Sequence, residues 1–263
     1  MPEGHTLHKA ARKQRPVLAG TVVRASSPQG RFTDAALVDR ARVLEIEAFG
    51  KHLLYRFQRR GCVRYLHVHL GLAGRFDLRR TPAPVPRAST RLRLVGPTHT
   101  LDLRGPLICE VVDEARATAI IERLGPDPIR PRTTATRFRA RLAATRIPIG
   151  AMLLDQSAIA GVGNVYRAEL LYLTRIDPRR PARDLSRTEV DVLWRLARVL
   201  LRAGVSDGRI ITTRYGGPDL APLHPRQRTF AYKQHTCARC RGMIHQVVLA
   251  GRPCYFCPRC QAR

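Results

Sequence analysis

The spacing of apolar residues changes near the middle of the chain. Apolar and basic residues alternate at helical spacing over residues 6–18, which predicts a short basic helix ending between Pro16 and Gly20. Alternating or clustered apolar residues then predict strands, which Gly and Pro turns separate. The predicted strands are residues 42–47, 52–57, 63–70, 91–94 and 100–103. The first half is therefore predicted to be an antiparallel β-sandwich with a flanking helix.

The second half is predicted to be mainly helical. Residues 124–132 are rich in proline and charge and mark the predicted domain boundary. Ser186 and Glu189 form a capping box at the start of the last predicted helix, and Gly204 suits its end. A loop rich in Gly, Pro and Arg, residues 206–228, follows it. The predicted helices are residues 138–144, 149–156, 165–174 and 186–202.

Four cysteines near the end of the chain have the spacing of a zinc ribbon. Each Cys-x-x-Cys pair forms a tight turn that presents two thiolates to one tetrahedral metal, so we expect one structural Zn²⁺. A redox-active pair is the alternative. Because four thiolates close the coordination sphere, the metal would stabilise the fold rather than activate water. The two pairs are separated by sixteen residues and consist of Cys237, Cys240, Cys257 and Cys260.

A short hairpin is predicted between the two cysteine pairs. Residues 247–249 and 255–256 would be its strands and residues 250–253 its turn. The turn would project Arg252 from a small rigid element. This arginine is interpreted either as a ligand contact or as an ordinary solvated turn residue.

The composition is strongly basic. Lys and Arg number 47 against 20 Asp and Glu, a formal charge of +27, and only four of the basic residues are lysines. An arginine excess of this size indicates a polyanion partner, and nonspecific nucleic-acid or ribosomal binding is one interpretation of it. Seven cysteines are too few and too clustered for a disulfide scaffold. Of the three outside the ribbon, Cys62 and Cys109 are expected to be isolated buried thiols and Cys254 to be unligated.

No apolar run approaches the ~18 residues of a membrane span, and the start of the chain is polar. We therefore expect a soluble, cytoplasmic protein with no membrane partner.

The chain begins Met1-Pro2-Glu3-Gly4, a start that permits a specific chemistry. A small second residue permits removal of Met1, which would leave Pro2 with a secondary α-amine. An α-amine has a pKa near ~7.7–8.0, so a useful fraction is unprotonated at neutral pH and can attack a sugar C1′ to form an iminium. Glu3 would supply the acid that this chemistry needs. The alternative is an ordinary exposed chain start.

A glycine-containing loop lies between two of the predicted helices, within residues 154–166. Gly161 and Gly163 free the backbone for a close approach, and Asn164 stands where the next helix begins. Helix N-termini hold phosphates through their N–H groups and dipole, so this loop is a candidate phosphate site. A plain helix–loop–helix connection is the alternative.

Together these motifs resemble one family. Residues 1–4, 50–52, 153–169, 251–253 and 257–261 are similar to the formamidopyrimidine-DNA glycosylase/endonuclease VIII family of base-excision repair enzymes. The resemblance runs from end to end. It implies a bifunctional DNA glycosylase and AP lyase with an N-terminal β-sandwich, a helix-two-turn-helix bundle and a zinc finger, an α+β multidomain fold that binds damaged DNA between its domains.

The resemblance also assigns catalytic roles. Pro2 matches the Schiff-base nucleophile, and Glu3 matches the acid that protonates the opening deoxyribose. Lys51 matches the lysine that contacts the phosphate beside the lesion and assists β-elimination. Arg252 matches the finger arginine that grips phosphate and supports δ-elimination.

Three further residues are assigned to DNA binding by position. Asn164 matches the phosphate-binding asparagine of the helix-two-turn-helix motif, and Arg123 resembles a further DNA contact. Leu72 lies where the family places a side chain that fills the space left by a flipped nucleotide. Its alternative role is that of a turn leucine of the sandwich.

Two departures from the family pattern affect the expected substrate. His5 and Thr6 stand where a glutamate is usual, so His5 is interpreted either as its substitute or as a surface cap. The arginine–phenylalanine pair by which the formamidopyrimidine branch probes the base opposite 8-oxoguanine has no counterpart in residues 103–107. This absence favours the endonuclease VIII branch and oxidised pyrimidines as substrates, with a purine-specific enzyme as the alternative.

The expected organisation has three domains: a catalytic β-sandwich over residues 1–124, a helical DNA-binding domain over 125–228 and a zinc finger over 229–263. We expect a monomer that works at the bacterial nucleoid and needs no organic cofactor. Two other functions remain open, a noncatalytic DNA-binding protein of this fold and a basic RNA-binding or ribosomal protein.

Overall fold

The structure is a computed structural model that describes residues 2–213, 224 and 227–261. The chain divides into two compact units, Met1–Arg123 and Leu124–Arg263. The division into three domains stays a prediction, because the units do not separate the zinc-ribbon segment from the helices.

The first unit contains eight strands and three helices among its described residues. Helix α1 begins two residues earlier than predicted and continues past Pro16 to Leu18. The elements are α1 (Gly4–Leu18), β1 (Val22–Ser26), α2 (Ala35–Val38), β2 (Ala41–Phe49), β3 (His52–Arg59), β4 (Cys62–His69), β5 (Arg75–Arg80), β6 (Thr90–Val95), β7 (His99–Arg104), β8 (Ile108–Val112) and α3 (Glu114–Glu122).

The eight strands form an antiparallel sandwich of two half-sheets, and both half-sheets include β1. The strand order is β5-β7-β6-β1-β2-β3-β4-β8. Val22 and Val23 pair with β2, whereas the rest of β1 pairs with β6, so β1 joins two half-sheets. Apolar side chains from both half-sheets and from α1 form one buried core. The predicted sandwich with a flanking helix is therefore confirmed.

Side chains alternate between the two faces of β3. Leu53, Tyr55 and Phe57 belong to the buried core, and His52 therefore points to the opposite, outer face. Helix α3 packs against β4, which neighbours β3. The outer face of the β3-β4-β8 half-sheet thus carries polar side chains that are partly removed from water.

Four helices and a two-stranded hairpin form the second unit, within the described residues. They are α4 (Thr136–Ala143), α5 (Ile149–Met152), α6 (Asn164–Thr174), α7 (Arg187–Asp207), β9 (His245–Leu249) and β10 (Arg252–Phe256), with a short 3-10 helix at Ala182–Asp184. The Ser186–Glu189 capping box is present. The predicted helix over residues 149–156 is shorter than expected and ends at Met152.

The predicted end of α7 was wrong. Gly204 lies buried inside the helix, and Gly208 ends it in a left-handed conformation at φ 75°. The helix continues because Val205 extends the apolar face past Gly204. The predicted loop over residues 206–228 therefore starts after Asp207, and its residues 214–223, 225 and 226 lie outside the described residues.

The predicted hairpin turn was too long. Leu249 pairs with Arg252, so only Ala250 and Gly251 form the turn. Both have positive φ, 51° and 68°, the backbone of a two-residue turn that matches the strand twist. Arg252 is therefore the first residue of β10, and it is exposed.

A single buried arginine on α6 connects the helices to this hairpin. Arg167 is fully buried and donates hydrogen bonds to oxygen atoms of three segments. Its acceptors include the carbonyl oxygens of Gly150 (3.2 Å), Leu249 (3.0 Å), Arg252 (3.2 Å) and Pro253 (3.1 Å) and the side-chain Oδ1 of Asn164. One guanidinium thus fixes α5 and the hairpin to the start of α6.

The segment around Gly150 leaves no room for a side chain. A Cβ there would lie 2.7 Å from Leu249 Cδ1 and 2.9 Å from the carbonyl oxygen of Pro178. The apolar side chains of Val247 and Leu249 pack against the helical core, which also includes Cys254. The hairpin is therefore packed into this unit, not merely attached to it.

We predict that Arg167→Met lowers the free energy of unfolding by about 3 kcal/mol, because several buried oxygen acceptors lose their charged donor. Urea denaturation of the zinc-loaded protein would measure the change. Arg187→Met is the control, since Arg187 is exposed on the first turn of α7 and its loss should cost less than about 0.5 kcal/mol. Equal losses in the two variants would contradict the role given to Arg167.

Candidate functional site

The residues at the start of the chain lie at the N-terminus of α1. Pro2 is half-buried, and Glu3 is fully buried as the residue that precedes the helix. The carbonyl oxygen of Glu3 accepts a hydrogen bond from the Thr6 N–H at 2.9 Å. The positive end of the helix dipole favours a carboxylate at this position. An amine on Pro2 would therefore adjoin a carboxyl group that is shielded from bulk water.

His5, in the same helix turn, is also buried. Burial lowers its pKa to about 4, and its Nε2 lies 3.3 Å from Thr6 Oγ1. The interpretation of His5 as a surface cap is therefore wrong. Its imidazole is neutral near pH 7.

Lys51 lies in the turn between β2 and β3. Phe49 pairs with His52, so Gly50 and Lys51 form a two-residue turn in which Gly50 has φ 56°. The Lys51 side chain is half-buried. Burial is the main cause of the lowered pKa of His52 and of His69, and the positive charge of Lys51 adds to it in both rings. The charge of Lys51 therefore acts on both histidines.

A cluster of three histidines and one glutamate, which the sequence analysis missed, adjoins Lys51. His52 and His69 are paired across β3 and β4, with ring centroids 5.0 Å apart, and His67 pairs with Glu110 across β4 and β8. His52 Nδ1 lies 2.8 Å from His67 Nε2, and His67 Nδ1 lies 2.7 Å from Glu110 Oε1. The histidines at positions 67 and 69, two apart on one strand, were the sequence signal for it.

Arg123 is exposed at the C-terminal end of α3. After burial and the neighbouring histidines, its charge is a further cause that lowers the pKa of His52, and it also acts on His67. The predicted DNA contact thus belongs to the same unit as the histidine cluster, and its charge acts on two of the rings.

Two exposed leucines mark the loops that follow β4 and β7. Leu72 is 68% exposed and Leu107 is 71% exposed. A Cβ on Gly71 would lie 2.8 Å from Leu107 Cβ, and the Leu107 N–H donates to the His69 carbonyl oxygen at 2.9 Å. The two loops therefore touch, and each presents an apolar side chain to solvent.

Asn164 and Arg252 are brought together in the second unit. Asn164 is buried at the start of α6, and its Nδ2 donates to the Pro253 carbonyl oxygen at 3.1 Å. Arg167 bonds both Asn164 and the carbonyl oxygen of Arg252. The two predicted phosphate contacts are thus held by one hydrogen-bond network, with Arg252 exposed and Asn164 largely enclosed.

The four ribbon cysteines form a compact metal site. Their Sγ atoms all lie within 4.8 Å of one another, and no other such group of potential ligands occurs in the described part of the chain. Cys237 and Cys260 are 3.9 Å apart and Cys240 and Cys257 are 3.5 Å apart. Tetrahedral zinc with Zn–S bonds of about 2.3 Å requires sulfur separations of about 3.8 Å. The four thiolates therefore provide a site for one structural zinc ion.

The other three cysteines lie outside this site. Cys254 is buried in the helical core, and burial raises its pKa to about 11. Burial likewise raises the pKa of the partly buried Cys109 to about 12. Cys62, the first residue of β4, is exposed, so the expectation of a buried thiol there was wrong. Strand β4 begins at a solvent-exposed end of the sheet, and its fully buried residues start only at Leu66.

Helix α6 also anchors the segment that leads into the ribbon. Glu169 is buried, and its carboxylate accepts backbone N–H bonds from Phe230 (2.7 Å), Ala231 (2.8 Å) and Tyr232 (2.9 Å) and a hydroxyl bond from Thr212. Burial raises the pKa of this carboxyl group. The Tyr172 hydroxyl lies 3.3 Å from Cys237 Sγ. One helix therefore positions both the predicted phosphate contacts and the metal ligands.

None of the helices in the described residues combines the length and apolar character that crossing a bilayer requires.

Family models match three consecutive parts of the chain. The formamidopyrimidine-DNA glycosylase N-terminal domain matches residues 1–106, and the formamidopyrimidine-DNA glycosylase H2TH domain matches residues 124–215. A zinc finger found in FPG and IleRS matches residues 235–263. The three matches together cover most of the sequence, including the cysteine cluster.

Similar proteins extend over the whole chain. Endonuclease 8 1 of Mycobacterium tuberculosis is 42% identical, over 99% of this chain and 100% of the relative. Formamidopyrimidine-DNA glycosylase of Thermus thermophilus is 33% identical, over 99% and 98%.

Among solved structures, MutM (Fpg) of Thermus thermophilus aligns with a TM-score of 0.78 at 32% identity, over 99% of this chain and 98% of that one. Lactococcus lactis Fpg in complex with DNA containing an abasic site aligns at a TM-score of 0.79 and 20% identity, over 99% and 100%, which shows the same fold. With three matching domains and a relative at 42% identity over nearly its full length, this chain belongs to the formamidopyrimidine-DNA glycosylase/endonuclease VIII family of DNA repair glycosylases.

Proposed function

We propose that the protein is a bifunctional DNA glycosylase and AP lyase that removes oxidised pyrimidines and cleaves the strand by β,δ-elimination. The observation that carries the proposal is the buried Glu3 carboxyl group beside Pro2 at the start of α1. A noncatalytic DNA-binding protein would need neither an N-terminal secondary amine nor a shielded acid next to it.

The proposed reaction begins once Met1 has been removed. The Pro2 amine attacks C1′ of the damaged nucleotide, the base leaves, and the sugar is held as an iminium on the proline nitrogen. Glu3 donates the proton that opens the deoxyribose ring. Elimination then breaks the bond to the 3′ phosphate and, in a second step, the bond to the 5′ phosphate.

Three basic side chains and one amide are proposed to hold the flanking phosphates. Lys51 is assigned to the phosphate beside the lesion, and Asn164 and Arg252 to a second phosphate, with Arg123 as a further contact. Support comes from the shared network of Asn164 and Arg252 and from the net charge of +27. These contacts offset the cost of extracting a nucleotide from the stack, which is a few kcal/mol.

The space left by the extracted nucleotide is proposed to be filled by Leu72. Its side chain is exposed on a short loop, as an inserted apolar residue must be before DNA binds. Because the loop after β7 presents Leu107 and no arginine–phenylalanine pair, we infer that the preferred lesions are oxidised pyrimidines. The higher identity to Endonuclease 8 1 than to the formamidopyrimidine enzyme supports this inference.

Borohydride reduction tests the nucleophile. With duplex DNA that contains thymine glycol, protein lacking Met1 should give a covalent adduct, and peptide mapping should place it on Pro2. A preparation that retains Met1 should bind the same DNA but lose adduct formation by about 10³-fold or more, because the amine is then displaced from the sugar.

Trimming the retained Met1 with an aminopeptidase is the control and should restore the adduct. Lack of an adduct with the trimmed protein would mean a noncatalytic DNA-binding protein, and an undiminished adduct with Met1 present would exclude Pro2 as the nucleophile. Excision rates on 8-oxoguanine in parallel should be lower than on thymine glycol; the opposite order would assign the chain to purine lesions.

Arg252→Ala should weaken DNA binding by a similar factor for all sequences, since a phosphate contact carries no base information. The slope of log K against log salt should fall by about 1, as expected for one lost phosphate contact. Fluorescence anisotropy at several salt concentrations measures both quantities. Arg187→Ala, an exposed arginine at the start of α7, provides a charge-matched comparison, and an equal change of slope there would remove the specific assignment.

A further inference from the structure

An open groove of about 750 Å³ lies on the outer side of α7, within the second unit. Its floor is formed by Leu173 near the end of α6, by Leu196 on α7 and by Phe230, which precedes the zinc ribbon. Ligand sites in proteins are commonly clefts of this size that are lined mainly by apolar side chains. None of the described lining residues is assigned to DNA or to zinc, so the groove is a separate candidate site.

The floor of the groove is held in place by its neighbours. The Phe230 N–H donates to the Glu169 carboxylate at 2.7 Å, and the Phe230 ring stacks on Tyr172 with the ring centroids 5.5 Å apart. Leu173 packs against both the helical core and the buried cluster around Cys237. The packing of this unit therefore fixes the groove, and a ligand needs little ordering of the protein to bind.

An apolar row on α7 borders the floor. Val192, Leu196 and Val199 recur at spacings of four and three residues, so they lie on one side of the helix. Leu196 packs in part against the helical core, whereas Val192 is 36% exposed and Val199 is 44% exposed. Helix α7 thus presents a second apolar stripe, beside the one that packs into its own unit.

A row of three arginines runs beside this apolar row. Arg195, Arg198 and Arg202 all line the groove. Arg198 donates to the Thr133 carbonyl oxygen at 2.8 Å, but no carboxylate among the described residues forms an ion pair with any of the three. Asp191, one turn before Arg195, is engaged in another ion pair. Like charges three and four residues apart repel one another and weaken a helix, so a ligand that carries carboxylates would relieve this repulsion.

The groove lies at the far end of α6 from the predicted phosphate contacts. Asn164 begins this helix and Leu173 is its last residue but one, so the two are separated by roughly 14 Å at a rise of 1.5 Å per residue. Proteins hold the DNA backbone with charged and polar groups, whereas exposed valines offer nothing to a phosphate. Arginines beside an apolar stripe therefore fit an acidic protein segment better than a nucleic acid.

We propose that the groove binds an acidic, amphipathic helix of a partner protein. Apolar side chains of that helix, spaced i, i+4 and i+7, fill the floor beside Val192 and Val199, and its carboxylates pair with the arginine row. The rows span residues 192–202 of α7, roughly 15 Å at 1.5 Å per residue, which matches two to three turns of a bound helix. Binding at this groove does not depend on the chemistry proposed for Pro2.

A fluorescently labelled synthetic peptide of about 15 residues, long enough to be helical, serves as the probe. It carries leucines spaced i, i+4 and i+7 and glutamates on the adjacent face. Two control peptides have the same leucines with lysines in place of the glutamates, or the same composition with leucines that no longer share a face. Fluorescence anisotropy at an ionic strength of about 0.15 M should show that the zinc-loaded protein binds the probe about 10-fold more tightly than either control.

Substitutions on α7 test the two rows separately. The double variant Val192→Gln, Val199→Gln removes apolar surface without changing the charge and should weaken probe binding by about 10-fold or more. Arg202→Gln removes one charge of the arginine row and should weaken binding by about 3-fold. Arg187→Gln is the matched control, because Arg187 is exposed on the same helix but outside the groove, and it should bind the probe like the wild type. All four side chains are exposed, so the thermal midpoints should stay close to that of the wild type.

Equal affinity for the three peptides, or unchanged probe binding in the double valine variant, would overturn the proposal. The double valine variant should bind undamaged duplex DNA and form the borohydride adduct as the wild type does. A loss of either would also overturn the proposal, because the groove would then belong to the surface that binds DNA. A wild-type protein that binds the probe selectively but forms no adduct would support the groove and contradict only the proposed function.

Discussion

The buried guanidinium of Arg167 is the constraint on which the second unit depends. It donates to four carbonyl oxygens and to the amide oxygen of Asn164. A charge removed from water costs several kcal/mol unless such dipoles surround it, so the acceptors must be held in place together. Two of the carbonyl oxygens belong to Arg252 and Pro253. The hydrogen bonds that compensate the burial of the Arg167 guanidinium therefore also set the geometry of the candidate phosphate site.

Glu169, two residues farther along α6, is a buried carboxylate that needs hydrogen-bond donors around it. Its carboxylate is surrounded by three N–H groups and one hydroxyl, which bring the segment before Cys237 to the same helix. The helix therefore carries two buried charged groups. Arg167 bonds backbone of the hairpin inside the zinc ribbon, and Glu169 bonds backbone of the segment before the ribbon. These hydrogen bonds add to the apolar packing of Val247 and Leu249 in placing the hairpin, because buried polar backbone groups are satisfied only in one arrangement.

Features encoded by neighbouring residues could be predicted from the sequence. The capping box of α7 and the two Cys-x-x-Cys pairs depend on spacings of three residues, and both are present. Strands β1, β5 and β8 were missed, because each is stabilised by pairing with a partner far away in the chain, as in the pairing of Arg75 with Arg104. The cluster of His52, His67 and Glu110 could not be predicted without knowledge of the register among β3, β4 and β8, which brings these residues together. Gly204 misled because a glycine can also lie within a helix when the apolar face continues past it, as Val205 does here.

The position of Cys62 has a practical consequence. It is exposed at the start of β4, whereas His69 ends that strand, roughly 24 Å away at about 3.4 Å per residue. Cys109 and Cys254 have raised pKa values of about 12 and about 11, so their thiolates are scarce at neutral pH, and the other four cysteines bind the metal. A thiol-reactive fluorophore should therefore attach selectively to Cys62, at a distance that allows energy transfer to labelled DNA without obstructing the residues around Lys51.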